Sequence, residues 1–266
     1  MKIFDSHCHL DDQSFAADVD QVLDRAASAD VRGIMIAGIN EESSRKALDL
    51  AKHNAGVIAA VGVHPHKAQS CNTAILERMK AMAKHPEIRA WGEIGLDYNR
   101  MFSPRKDQEK WFLAQLDMAD ELDLPLIFHE RDTNGRFLEL LQAHPKTGRK
   151  AVVHCFSGNK AELDAYVKMG FHIGITGILT IKSRGAELRR MVKEIPLDRL
   201  LVETDAPYLT PTPERNKFRR NEPAFVRTVL FKLAEVRQEP VETLADEIWQ
   251  NTNRLFGCLS AGIQTE

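Results

Sequence analysis

Phe4-Asp5-Ser6-His7-Cys8-His9-Leu10 reads as a short strand that ends in two histidines spaced i, i+2. Successive side chains on a strand point to opposite faces, so His7 and His9 project together and Cys8 projects away. Two imidazoles side by side at the mouth of a strand form half of a transition-metal site. Alone, such a pair is more often a surface accident. Its meaning depends on whether further donors recur at the ends of later strands.

They do. Short β-rich runs fall near residues 2–7, 33–37, 57–63, 89–93, 126–129, 151–154, 171–175 and 200–203, with longer helical patterns between them. One such pattern is Trp111, Phe112, Leu116 and Ala119, running to Leu122 before Pro125. Strands alternating with helices imply right-handed βαβ units and a parallel sheet. Eight units in about 250 residues match the size of a (β/α)8 TIM-type barrel. A doubly wound open sheet would carry a Gly-rich turn after its first strand, where this chain carries histidines. The chain therefore reads as α/β, one barrel domain over 1–266, with the barrel to about 257 and a tail over 258–266. A final long helix is expected over 222–236 with Asn221 as N-cap and Pro223 in its first turn, then a shorter one over 241–249.

The expected strands end in Gly62-Val63-His64-Pro65-His66, Trp91-Gly92-Glu93-Ile94-Gly95-Leu96-Asp97, Ile127-Phe128-His129, Val152-Val153-His154 and Val202-Glu203-Thr204-Asp205. In a barrel these C-terminal ends meet on one face, where active sites sit. His7, His9, Glu93, His129, His154 and Asp205 then converge. Four imidazoles and two carboxylates complete two coordination shells if one carboxylate bridges: His7, His9 and Asp205 on one ion, His129 and His154 on the other, Glu93 between. Two divalent ions ~3.5–4 Å apart suit in-line displacement at phosphorus. His64 is left over and suits contact with a phosphate oxygen. Glu203 reads either as an interior carboxylate holding a ligand or as a proton-transfer group. His66 is expected to face solvent, and Cys8 and Cys155 to pack. His53, His85 and His144 sit at expected helix C-termini, and His172 starts a strand at the opposite rim.

Composition narrows the setting. The 266 residues are 43% hydrophobic and 28% charged, with a net charge of −2, which argues against a broad basic surface for coating nucleic acid. A nuclease remains open, because metal ions supply positive charge where a phosphate sits. Four cysteines without a Cys-x-x-Cys pair, no leader and no run of the ~18 apolar residues needed for a bilayer point to a cytoplasmic protein with no membrane partner. A monomer satisfies these features.

The string His7-Cys8-His9, Gly62-Val63-His64-Pro65-His66, Gly92-Glu93-Ile94-Gly95-Leu96-Asp97-Tyr98, His154-Cys155-Phe156-Ser157-Gly158, Glu203-Thr204-Asp205-Ala206-Pro207-Tyr208-Leu209 and Arg220-Asn221-Glu222-Pro223 resembles the TatD family of metal-dependent deoxyribonucleases, within the amidohydrolase-like superfamily. The resemblance runs from residue 3 to about 257. It implies a TIM-type barrel cleaving DNA phosphodiesters, in some members as a 3′-to-5′ exonuclease on single strands, with RNA as a further substrate. It implies the same six metal ligands, His64 near the substrate phosphate and Glu203 in catalysis alongside Glu93 and Asp205. The donors suit Zn or Mn by softness, and the resemblance adds Mg. No role is carried onto the 210–220 loop. The competing readings are a metal-dependent amidohydrolase or esterase acting on a carbonyl, such as an aminoacyl-tRNA ester, and a non-catalytic barrel, which would be expected to have lost a ligand.

Overall fold

The structure is a computed structural model that describes residues 1–258, so nearly all of the expected tail lies outside the described residues. Eight strands, β1 (Ile3–Cys8), β2 (Val31–Ala37), β3 (Val57–Val61), β4 (Ile88–Asp97), β5 (Leu126–Arg131), β6 (Ala151–Val153), β7 (His172–Ile175) and β8 (Leu200–Val202), lie in one sheet in sequence order. Each pairs in parallel with the next. Helices α1 (Val19–Ser28), α2 (Glu41–His53), α3 (Thr73–Met82), α4 (Arg105–Leu122), α5 (Arg136–Ala143), α6 (Lys160–Lys168), α7 (Ala186–Met191), α8 (Val226–Arg237) and α9 (Val241–Phe256) occupy the crossovers and the C-terminal end. This is the expected (β/α)8 barrel.

The ring closes through the chain just past β8. Ser6 Oγ donates to the Val202 carbonyl at 3.0 Å. Asp205 N–H reaches the His7 carbonyl at 2.9 Å, and His9 N–H reaches that of Ala206 at 2.7 Å. The buried Asp5 carboxylate accepts Thr204 N–H at 2.8 Å and Thr204 Oγ1–H at 2.6 Å, across 199 residues of chain.

Two apolar cores flank the sheet. The barrel interior holds Phe4, Met35, Ile58, Ala90, Ile127, Val152 and Leu201, and the end of α9 closes it from below with Leu255 and Phe256. The outer strand faces pack against the helices, as in Phe112, Phe128 and Phe137. Burying each such aromatic contributes about 1.5–3 kcal/mol.

A register shift in β1 between Asp5 and Cys8, and another in β4 between Trp91 and Ile94, each insert one extra residue against the neighbouring strand. Such bulges re-aim side chains. Phe4 and Ala90 face inward before the shifts; Cys8 and Ile94 join the outer core after them. The odd-numbered residues His7, His9 and Glu93 thereby turn toward the barrel axis. Gly95 follows at φ +146°, and a Cβ there would lie 1.9 Å from the His129 carbonyl oxygen, so only glycine fits.

Two expectations about the C-terminal elements need correction. Asn221 is no helix cap: a 3-10 turn over Pro223–Phe225 precedes α8. Its buried amide donates to the carbonyls of Thr204 (2.9 Å) and Tyr208 (2.6 Å), which would otherwise lack partners. The last helix is not short, since α9 runs to Phe256 and stops at Gly257 in the left-handed conformation.

Candidate metal centre

All eight residues singled out from the sequence lie at the C-terminal mouth. Glu93, almost fully buried, stands in the middle with its two oxygens facing different groups. Oε2 lies 3.5 Å from His7 Nε2 and 3.6 Å from His9 Nε2. Oε1 lies 2.7 Å from His129 Nδ1 and 2.9 Å from His154 Nε2. Asp205 Oδ1 completes the first group, 3.8 Å from His7 Nε2 and 3.5 Å from His9 Nε2. The His7 and His154 rings stack at 3.8 Å, which brings the two groups into contact.

β8 has ended by Val202, and Asp205 takes a left-handed φ of 57°. Its carboxylate therefore swings to His7 and His9, whereas Glu203 stays inside the barrel. Fully buried Glu203 accepts Cys155 N–H at 2.5 Å and lies 3.2 Å from His154 Nδ1. Gly174 makes room for it: a Cβ there would come within 2.5 Å of Glu203 Oε2.

Two of the rings, His9 and His129, have their far nitrogens tied down. His9 Nδ1–H donates to the Ala37 carbonyl at 2.9 Å. His129 Nε2 meets Asp97 Oδ2 at 3.2 Å. Such partners fix which nitrogen points inward and raise its basicity. His64 differs from the other rings. Its Nδ1 accepts His66 N–H at 3.0 Å, and burial holds its pKa down to about 3. With Nδ1 accepting, Nε2 carries the proton of the neutral ring and lies 3.2 Å from His129 Nδ1 and 3.4 Å from Glu93 Oε1.

The donors fit divalent cations. Two imidazole nitrogens, His7 Nε2 and His9 Nε2, face each other at 3.2 Å. Three-residue groups of donor atoms gather within 4.8 Å as His7–His9–Glu93, His7–His154–Asp205, Glu93–His129–His154 and, at one edge, His64–His66–His129. Among the described residues no Lys or Arg pairs with Glu93 or Asp205, and their ion-pair partners are all imidazoles. Burial alone would raise Glu93, but facing His154, His64 and His7 hold it well below the usual carboxylate range. Burial would lower His9, yet Asp205 and Glu93 raise it to about 9. A cation must displace that proton at neutral pH. Apparent metal affinity is therefore expected to weaken as pH falls below about 9. Calorimetric metal titrations in buffers of different ionisation enthalpy should register proton release at pH 7; binding independent of pH would contradict the donor assignment.

The profile of the family described as TatD related DNase matches residues 4–257. The chain belongs to this family. A TatD relative from Escherichia fergusonii, named a 3′-5′ ssDNA/RNA exonuclease, is 42% identical over 96% of this chain and 99% of its own length. A TatD of the same name from Pectobacterium parmentieri is 43% identical with the same coverage. The solved structure of YJJV, a TatD homologue from Escherichia coli K12, superposes with a TM-score of 0.88 at 31% identity, covering 96% of this chain and 98% of that one.

Two members of this TatD centre escape a reading of the sequence. His66 is only partly open to solvent: the 3-10 turn over Pro65–Ser70 turns it to the site, and its Nε2 meets Asp97 Oδ2 at 2.7 Å. Asp97 also accepts N–H groups from Asn99 (2.9 Å) and Arg100 (2.8 Å). Burial raises its pKa, but the His129 and His66 bonds win and hold it well below the normal range. The available signal was its spacing of four from Glu93, which is even, once β4 is extended to Asp97. Asp97→Asn leaves His129 without its charged partner and is expected to cost about 10- to 100-fold in metal affinity or activity. Metal titration and steady-state assays check this, with the fold monitored by circular dichroism.

Proposed function

We propose that the chain hydrolyses phosphodiester bonds of nucleic acid with two divalent cations, removing nucleotides from the 3′ ends of single-stranded DNA and RNA. The observation that carries this is the division of Glu93, one oxygen toward His7 and His9 and the other toward His129 and His154. His7, His9 and Asp205 would hold one ion and His129 and His154 the other, with Glu93 shared. When bound, such ions (Mg, Mn or Zn) supply Lewis-acid activation of water and neutralise phosphate charge.

The chain's own groups perform the rest. Asp205 is held ionised by His9, His154 and His7 against the effect of burial, and its side chain is 14% exposed toward the mouth. It accepts the proton of the attacking water as the new P–O bond forms and the P–O3′ bond breaks, the departing O3′ taking its proton from solvent. His64 Nε2–H donates to a non-bridging phosphate oxygen. Glu203 touches His154 and the Cys155 amide, so it acts by positioning His154. The names of the relatives support the nucleic-acid substrate over a carbonyl.

All donors come from one chain, so a monomer suffices. Among the described residues no helix is long and apolar enough to cross a membrane. The four thiols are unpaired, which fits work in a reducing cytoplasm.

The deciding experiment incubates 5′-labelled single- and double-stranded oligonucleotides with the protein and Mg, Mn or Zn, and sizes the products. A ladder shortening from the 3′ end of single strands, abolished by chelation, is expected. Turnover of ester and amide panels with none of the oligonucleotides would overturn the proposal.

A further inference from the structure

Aromatic rings form a continuous row across the mouth of the barrel. From one end it runs Phe102–His66 (4.8 Å between centroids), His66–His129 (5.9 Å), His129–His154 (5.7 Å), His154–His7 (3.8 Å), His7–His9 (4.9 Å) and His9–Tyr208 (6.1 Å). The histidines between are the candidate ligands and their neighbour His66. The two end rings are the exceptions in burial, since Phe102 is 64% and Tyr208 54% exposed.

Neither exposure comes from a loose backbone. Ser103, next to Phe102, is buried: its Oγ–H donates to the His66 carbonyl (3.1 Å), its Oγ accepts Gln69 N–H (3.0 Å), and its carbonyl accepts Gln108 Nε2–H (2.8 Å). The Tyr208 carbonyl is held by Asn221 and its N–H by the Asp205 carbonyl at 2.8 Å. Rigid main chain thus presents two large rings to water. Other exposed aromatics stand outside this row: Phe218 lies 5.5 Å from Phe225, and Arg227 covers Phe231 at 5.1 Å.

We infer that Phe102 and Tyr208 are the two base-stacking platforms of the substrate groove, one on each side of the phosphate being cleaved. This rests on the nuclease reading above. A strand whose scissile phosphate sits over Glu93 carries one nucleoside toward the His64–His129 end and the next toward the His9–Asp205 end. There each base meets an exposed ring. Every base has a π-face, so such stacking binds without sequence preference. Lys67 and Arg100, close in sequence to His66 and Phe102, and Arg215 and Lys217, a few residues past Tyr208, are exposed cations available to a sugar–phosphate backbone.

The test uses the full chain with Mg or Mn and a short single-stranded oligonucleotide, intact or abasic at the 3′-terminal or the penultimate position. Phe102→Ala and Tyr208→Ala are each expected to lower kcat/KM about tenfold on the intact strand, chiefly through KM. Each defect should vanish for one abasic substrate, and a different one for each variant. Phe102→Trp and Tyr208→Phe should restore it. As a second readout, 2-aminopurine at those two positions should be quenched on binding to the unaltered protein in Ca and brighten with the matching alanine variant. Variants that cleave and bind the intact strand as well as the parent, or defects equal on intact and abasic strands, overturn the stacking assignment alone. A parent protein that cleaves no oligonucleotide overturns the nuclease reading instead.

Discussion

Glu93→Gln should leave a folded barrel that no longer holds two cations and hydrolyses its substrate more than about 10³-fold more slowly. The amide has the volume of the carboxylate, so packing around a nearly fully buried side chain is kept. What changes is that a glutamine offers one neutral oxygen in place of two charged ones. Glu93 faces His7 and His9 with one oxygen and His129 and His154 with the other, so one of the two groups must now meet an NH2. Metal content by elemental analysis should drop along with activity, while the melting transition stays cooperative. A variant with two bound cations and the parent's rate would refute the bridging role.

Asp205→Asn separates chemistry from assembly. The substitution keeps a neutral oxygen near His7 and His9, and it leaves Glu93, His129 and His154 untouched. Metal loading is expected to fall only in the first group. The rate constant should fall about 10²- to 10⁴-fold, the usual contribution of a general base. Because its histidine neighbours hold Asp205 below the normal carboxylate range, the parent assayed with metal raised to keep the site loaded should remain active as pH drops into the acid range until Asp205 protonates. That limb of the pH–rate profile should disappear in the variant. Unchanged turnover at saturating metal would remove Asp205 from the mechanism.

The donors were legible because each stands at the end of an otherwise apolar run. Strand parity was legible only in part. Alternation correctly keeps His7 with His9 and Cys8 away, but it cannot say which pair faces the axis. Extra residues in β1 and β4 decide that, and a bulge leaves no mark in hydrophobic pattern. The β-rich run of the fourth strand was placed at 89–93, and Asp97 at its end was given no role; Gly95 between them is glycine because the His129 carbonyl passes too close for a side chain. His66 was given to solvent because a 3-10 turn, unlike a helix, has no period to detect. The Asn221 amide was read as a local cap, whereas its acceptors lie 13 and 17 residues away.

The seam between the first and last strands coincides with the mouth that holds Asp205, His7 and His9. Closing it joins two ends of the polypeptide about as distant in sequence as this domain allows, through loop hydrogen bonds, the Cys8–Ala206 bridge, the Ser6 hydroxyl and the Asp5–Thr204 pair. A cation shared by His7, His9 and Asp205 would then act as a removable cross-link around the circumference, stabilising the folded state by mass action. Chelation should loosen the molecule first at this hoop, making the stretch around Thr204–Tyr208 the earliest target for a protease.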